Sequence, residues 1–567
     1  AKHPHLLDTI DKEKIKLSKK RPNEDSVNNF PNKYTLERWG AGSSMATQKG
    51  LDKAILQFIV ENIQPLSIVD SPSFINLIRI GLPSHVNIMC RKTLKERLCQ
   101  MYHRMKNALE KKLAEIEIVA TTADLWSKGK RSYLGITVHW INPETLERES
   151  AALACRRIKG KHTYDVLAQA ISSVFLEYHI QNKVCGTTTD NGSNFVKAFQ
   201  SFQKDEDEES INTEFHSLSD LLIIDDVENI DPESSFILPP HHRYASHTLN
   251  LIAVKDCDKA LDSDAVYKKK YRMTFAKLIK LWNKQNQSTQ TADKIKEICS
   301  VYLKTPVITR WNSTFDSVLQ LVKLLKNDSE KINQCLDYCN LQRLTENEIK
   351  FLEEYCQIME PLARALDIIQ GETGMYMGFL LPGLKTLQEK MEKFNKNGFT
   401  HCQALITAIQ EGLNKRFSTL FEDKNLIIAS SLHPKFKLNW IDGEKKKQAK
   451  TYLEELFGIK STESSPVSEK SIDHDDFFHF NQRTKETESL QEELYRFLKF
   501  NSSNVDMLND YHRIKKFFIK YNTALPSSAP VERMFSIGGS IVTPQRGNLH
   551  DDTIEYQILL KINKNFY

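Results

Sequence analysis

No stretch of this chain comes near the roughly 18–20 consecutive apolar residues that carry a helix across a bilayer, so a helical membrane span is not expected. Paired cysteines are also lacking. Ten cysteines are scattered with no Cys-x-x-Cys among them. Cys335 and Cys339 lie one helical turn apart with no His pair nearby, which speaks against a structural zinc site and for reduced thiols in a cytosolic or nuclear protein. No secretory leader pattern opens the chain, and no internal repeat is evident. It begins at Ala1 without Met, so the expectation is of a fragment. A strong charge of one sign is missing too: the net charge is only +5, a weak pointer to a polyanionic partner. What length provides is room, since 567 residues exceed a single core and imply two to four domains.

Residues 1–45 are polar and without hydrophobic period, and read as a basic linker. Lys16 to Pro22 (Lys-Leu-Ser-Lys-Lys-Arg-Pro) is either a nuclear address or a solvated charge run. From 46 to 113 the period is helical. Leu51, Ile55, Ile59 and Ile63 share one face, and Pro65 stops that helix. Leu94, Leu98, Met101, Met105, Leu109 and Leu113 form the stripe of a longer helix whose other faces carry Lys92, Lys95, Arg97, Arg104, Lys106, Lys111 and Lys112. That basic side either tracks phosphates or simply faces water.

The period then changes to two, with β-branched residues. Strands are expected over 116–122, 133–140 and 150–156, joined by loops so short that the three must form an antiparallel meander. A helix over 163–177 and a fourth strand over 184–189 follow. The helical crossover makes that strand parallel to one already in the sheet. If it lies beside the first, Asp124 and Asp190 stand at neighbouring strand ends, where open α/β sheets place their sites. This strand-strand-strand-helix-strand order, with acids after strands one and four, is that of an RNase H-like core. The next helix is expected from Asn191. Residues 203–236 are acidic and unpatterned, 236–238 could add a fifth strand, and a helix with His247 follows. The first part of the core therefore spans 114–256.

Residues 257–512 are helical in period apart from a polar stretch over 461–475, and read as a large all-helical insertion. Over 513–567 informative sequence returns. Ser527 or Ser528 is placed to cap a helix with Pro530 in its first turn. Glu532 lies in that same turn, where the helix dipole favours a carboxylate, and Gly538-Gly539 would end the helix. The fold class is thus α/β plus α: an N-terminal helical region and a mixed sheet interrupted by helices. Three carboxylates, Asp124, Asp190 and Glu532, suit hard divalent cations, which take oxygen ligands. Two such ions can clamp the attacking and leaving oxygens of a phosphodiester displacement.

Five strings carry a resemblance: Thr-Thr-Ala-Asp124-Leu-Trp; His139-Trp-Ile-Asn-Pro with Ser150-Ala-Ala-Leu-Ala-Cys155; Thr-Thr-Thr-Asp190-Asn-Gly-Ser-Asn-Phe; Thr309-Arg-Trp-Asn-Ser-Thr314; and Ala529-Pro-Val-Glu532-Arg-Met-Phe-Ser536. In this order the chain resembles a transposase of the hAT superfamily (hobo, Activator and relatives), most closely the fish-type active elements, over nearly everything after residue 45. The resemblance implies that Asp124, Asp190 and Glu532 are a catalytic and metal-binding triad for Mg²⁺ or Mn²⁺. It implies cut-and-paste transposition, with transposon-end and target DNA as partners and action in the nucleus. It also implies that 513–567 contributes to dimeric or higher assembly. The family's BED zinc finger ends in His residues followed by Pro. His3 or His5 would be its last trace, so Zn²⁺ belongs only to a finger whose cysteine ligands this chain lacks. Trp311 matches a family tryptophan that helps to stabilise the hairpin on flanking DNA; a core tryptophan is the alternative. His247 falls in the family's Cys-x-x-His segment, where this chain has Tyr244 in place of Cys, and either contacts a scissile phosphate or packs. Lys197 and Arg533 flank the acids and either contact DNA phosphates or face solvent, and Arg310 beside Trp311 is a further candidate DNA contact. The rival reading is a domesticated relative that keeps the fold and binds DNA without cutting it.

Overall fold

The computed structural model describes residues 47–80, 82–83, 85–190, 192–202, 237–307, 311–371, 374–459 and 490–567. The basic linker with Lys16–Pro22 and the two histidines, the acidic stretch 203–236, the polar stretch 461–475, Asn191 and Arg310 lie outside the described residues. Those described fall into two compact units, 47–55 with 69–89 and 56–68 with 90–567. In the smaller unit Phe74 on the helix Pro72–Arg79 is buried. Gln48 closes the unit by donating to the Asn87 carbonyl and accepting from its amide, at 2.7 and 2.9 Å.

The larger unit is built on a five-stranded mixed sheet in the order β3-β2-β1-β4-β5. Its strands are Val119–Lys128 (β1), Arg131–Ile141 (β2), Arg148–Ile158 (β3), Val184–Thr189 (β4) and His241–Arg243 (β5). β1, β2 and β3 form the antiparallel meander, and β4 lies parallel to β1, as the helical crossover Tyr164–Glu177 requires. β1 starts later and runs further than its apolar stretch alone suggests, because Leu125 to Lys128 keep pairing with β2 after β4 has ended. Of the expected strand 236–238, residue 236 lies outside the described residues and Leu238 forms only an isolated bridge; the sheet's fifth strand is at 241–243, parallel to β4.

One face of the sheet forms a core with the crossover helix and the end of the long helix Arg91–Glu115. Val119, Ile136, Trp140 and Leu153 bury against Leu109, Leu113, Leu167, Ile171 and Phe175. Each large side chain so enclosed contributes about 1.5–3 kcal/mol. The long helix is therefore packed into the sheet unit. Part of its basic side is already paired: Lys106 bonds Glu177 at 2.5 Å and Lys112 lies 4.0 Å from Glu149.

Between β5 and Glu532 the elements among the described residues are all helical, with a second core around Phe351, Leu384, Ile406 and Phe518. Glu532 opens the helix Ala529–Ile541. Gly538 and Gly539 do not end this helix but lie inside it. A β-carbon on Gly538 would stand 3.1 Å from the Trp126 ring and 3.3 Å from Ile558, so glycine there lets helix and sheet close together. The helix Asp551–Ile562 covers the open edge at β3. The Asn563 side chain accepts from the Ala152 amide and donates to its carbonyl, both at 2.8 Å, filling the gap that a missing neighbour strand would leave.

Candidate active site

Registration of the parallel strands sets the site. Ala123 stands opposite Thr189, and Thr189 opposite Arg243. The next residue on each of three adjacent strands is Asp124, Asp190 and Tyr244, so these occupy one row across the sheet. Asp124 is not at a strand end, as expected, but sixth in β1; it is uncovered because β4 stops one residue short of it. The threonines before the aspartates are buried, and their hydroxyls knit the strands: Thr121 to Thr187 at 2.7 Å and Thr122 to Thr137 at 2.6 Å. Each aspartate is held by a nearby amide. Leu125 N donates to Asp124 Oδ1 at 2.7 Å and Gly192 N to Asp190 Oδ1 at 3.0 Å.

Glu532 arrives by a chain of anchors. The Arg148 guanidinium donates to the carbonyls of Met375 (2.8 Å), Asn522 (2.7 Å) and Thr523 (2.5 Å). Two residues on, the Thr188 hydroxyl donates to the Leu525 carbonyl at 2.8 Å, and the Ala245 amide then donates to Pro526 at 2.9 Å. The helix that follows lies against Gly135, the residue paired with Asp124 on β2. A β-carbon on Gly135 would stand 2.4 Å from Met534 Cε and 2.6 Å from the Phe535 ring, so only glycine lets the Glu532 helix come this close. Phe535 also stacks on Trp126, with centroids 5.6 Å apart. Ser528 does not cap the helix through its side chain. Its hydroxyl donates to Glu532 Oε1 at 2.5 Å, and Ser527 instead accepts from the Ala529 amide.

The three acids share an electric field. Burial pushes Asp124 up to about 7, with the Asp190 and Glu532 charges adding to it and the Leu125 amide opposing it. Buried Tyr244 is raised well above its ordinary range, first by burial and then by the charges of Asp124, Asp190 and Glu532. Its hydroxyl donates to the Ala123 carbonyl at 2.7 Å, which anchors β5 to β1 beside the acids. The carboxylates are neighbours, yet among the described residues no three His, Cys, Asp or Glu side chains close on one point as an ion's ligand set would. Glu532 is exposed and bonded to Ser528.

Because Asp124 lies above its ordinary 3.8, ionising it costs folding free energy. That part of stability is intact below about pH 4 and is lost as pH rises through 7. At 1.36 kcal/mol per unit the ceiling is about 4 kcal/mol, and partial exposure reduces it to about 1–3 kcal/mol. In chelator, Asp124→Asn should therefore raise the melting temperature relative to the parent at about pH 8, and by less than half as much at about pH 5. An equal offset at both pH values would show that the destabilising charge lies elsewhere.

Residues 122–214 match the family model described as the ZBED1 RNase-like domain, a stretch that holds Asp124 and Asp190 and stops short of Glu532. Two proteins of Zea mays, named as the AC and AC9 transposases, are each 21% identical to the chain over 89% of its length. A protein of Talaromyces stipitatus named as the transcriptional regulator tpeD is 21% identical over 96% of the chain. The chain spans 64% of the length of each of these relatives.

The remaining candidates lie on separate helices. His247, one turn beyond Tyr244 on the helix Ala245–Leu251, is exposed. Lys197 is exposed with its ammonium 4.5 Å over the Tyr164 ring. Arg533 is exposed beside Glu532, and its charge helps to lower fully buried His139. Trp311 opens the helix Trp311–Asn327, stacks on Phe315 at 6.0 Å and has no partner for its indole N–H among the described residues. It lines a pocket of about 350 Å³ with Tyr267, Tyr271 and Tyr355. Sequence reasoning missed Tyr244 as a member of the row and Arg148 as an anchor. The correct register of β5 would have found the first, and no local signal marks the second.

Proposed function

We propose that this chain is a DDE-type DNA transposase that moves DNA by cut-and-paste. The observation that carries the reading is the Asp124–Asp190 row with the Glu532 helix seated on Gly135 beside it. The donor set is all oxygen, and Asp124 is raised first by burial and then by the like charges of Asp190 and Glu532, so these residues fit Mg²⁺ or Mn²⁺. Asp124 and Asp190 would hold the ion, and Glu532, now bonded to Ser528, would be the third oxygen donor. Once bound, the metal would supply Lewis-acid activation and neutralise charge on the phosphate.

The chain's own residues fix the acids on three backbone segments and keep them close. In the first reaction water attacks a phosphodiester at the element boundary, and the P–O bond to the departing 3′-oxygen breaks. The freed 3′-hydroxyl of the flank then attacks the opposite strand, closing a flanking hairpin and releasing the element. Finally the element's own 3′-hydroxyl joins target DNA. The first step replaces the P–O bond to the flank's 3′-oxygen by one to water and leaves a 5′-phosphate, and the two later steps exchange one phosphodiester for another, so no covalent protein–DNA intermediate is needed. Transposon ends and target DNA are the partners, a dimer or larger assembly of this chain the working form, and the nucleus the place of action.

A second reading, a DNA-binding regulator that no longer cuts, takes support from the likeness to tpeD. It gives no reason for three acids to be kept together. The test is incubation of the protein with a duplex carrying the element's terminal inverted repeat, with and without Mg²⁺ or Mn²⁺. The transposase reading expects metal-dependent nicks at the repeat boundary and a hairpin on the flank; DNA binding without any nick in either metal would leave the regulator.

A further inference from the structure

The helix Ala265–Gln287 carries seven lysines and arginines and no aspartate or glutamate. One face of it is buried in the helical core through Tyr267, Phe275, Leu278, Leu281 and Trp282. The cations on its flanks are occupied: Lys268 pairs with Asp262 at 3.1 Å, Lys277 with Glu348 at 2.8 Å, and Lys270 contacts His401 Nδ1 at 2.6 Å. The cations on the outward face are different. Lys269, Arg272, Lys280 and Lys284 are exposed and make no ion pair among the described residues. At about 100° per residue these four fall within one arc of about 120°, and they extend over about 22 Å of helix.

We infer that this face docks the phosphate backbone of duplex DNA. The proposal rests on the transposase reading and deepens it by assigning a DNA-binding surface to a helix remote in sequence from the acids. A row of unpaired cations on a rigid rod matches a polyanion with one charge per roughly 1.7 Å of axis. A membrane surface fits less well, because an interfacial helix needs a continuous apolar face and the apolar face here is already enclosed. The exposed apolar residues, Val266, Met273 and Ile279, are single side chains set among the cations.

The experiment uses the chain with Lys269→Gln, Arg272→Gln, Lys280→Gln and Lys284→Gln combined. Binding to a duplex of random sequence is followed by fluorescence anisotropy across a salt series. The salt dependence of log K should fall by about 3.6, at 0.9 per phosphate contact, with at least a ~10-fold loss of affinity at about 0.1 M salt. A control variant, Lys390→Gln, Lys393→Gln, Lys396→Gln and Lys446→Gln, removes the same charge elsewhere and should leave the slope nearly unchanged. Equal slopes for the parent and the first variant would overturn the proposal, as would equal losses in both variants. Loss of binding to phosphatidylserine vesicles with unchanged DNA binding would overturn it in favour of a membrane. A parent protein that binds DNA through this face but never cuts it would sink the transposase reading and leave the surface standing.

Discussion

Asp190→Asn is expected to abolish metal-dependent strand cleavage, by at least about a thousandfold, while leaving affinity for the duplex within about twofold of the parent. The amide keeps the size of the carboxylate, and its oxygen still accepts from the Gly192 amide now bonded at 3.0 Å, so the turn after β4 should survive. What is lost is a negative oxygen in the row with Asp124. A hard divalent ion gives up much of its affinity when an anionic ligand becomes neutral, and a thousandfold loss is about 4 kcal/mol of transition-state stabilisation. Cleavage is read on denaturing gels and affinity by anisotropy, with the folded state checked by its melting temperature. A variant that cuts within tenfold of the parent would remove Asp190 from the chemistry.

Arg148→Met should give the largest loss of stability among single substitutions at the site's supports. The guanidinium is enclosed, lowered by burial to about 10, and it bonds three carbonyls while no carboxylate pairs with it among the described residues. Removing it strands three buried acceptors, at about 3–5 kcal/mol in all, and should lower the melting temperature by at least about 5 °C. Arg148→Lys should recover only part of this, because an ammonium lacks the planar fork that reaches three carbonyls at once. Two of those carbonyls, Asn522 and Thr523, precede the segment that delivers Glu532. Cleavage should thus fall further than stability alone accounts for, even at temperatures where the variant is folded. Parent-like cleavage per folded molecule would separate Arg148 from the placement of Glu532.

The order and direction of β1 to β4 were legible because short loops and a helical crossover leave few ways to pair them. The positions of Asp124 and Asp190 followed from that. β5 was not legible: His241-His-Arg243 has no apolar alternation, since three residues at the rim of the sheet need none, whereas Phe236-Ile-Leu238 looks apolar enough to be a strand. The nearness of Glu532 could be proposed from its motif, but not the way it is achieved. Gly135 and Arg148 act on residues hundreds of positions away, and such pairings leave no period in the local sequence. Gly538 misled for a related reason, since a glycine that makes room for Trp126 reads the same as one that ends a helix. The basic face of Ala265–Gln287 was written in the sequence, but only its burial pattern separates paired cations from unpaired ones.

The Glu532 helix and the helix that seals β3 follow the strands they complete by several hundred residues, and this orders events during synthesis. A chain emerging from the ribosome can begin folding its early strands long before those residues exist. Until they arrive it lacks the third acid, and the β3 edge stays open to aggregation. A message truncated upstream of that helix would therefore yield a product without Glu532 and with the β3 edge bare.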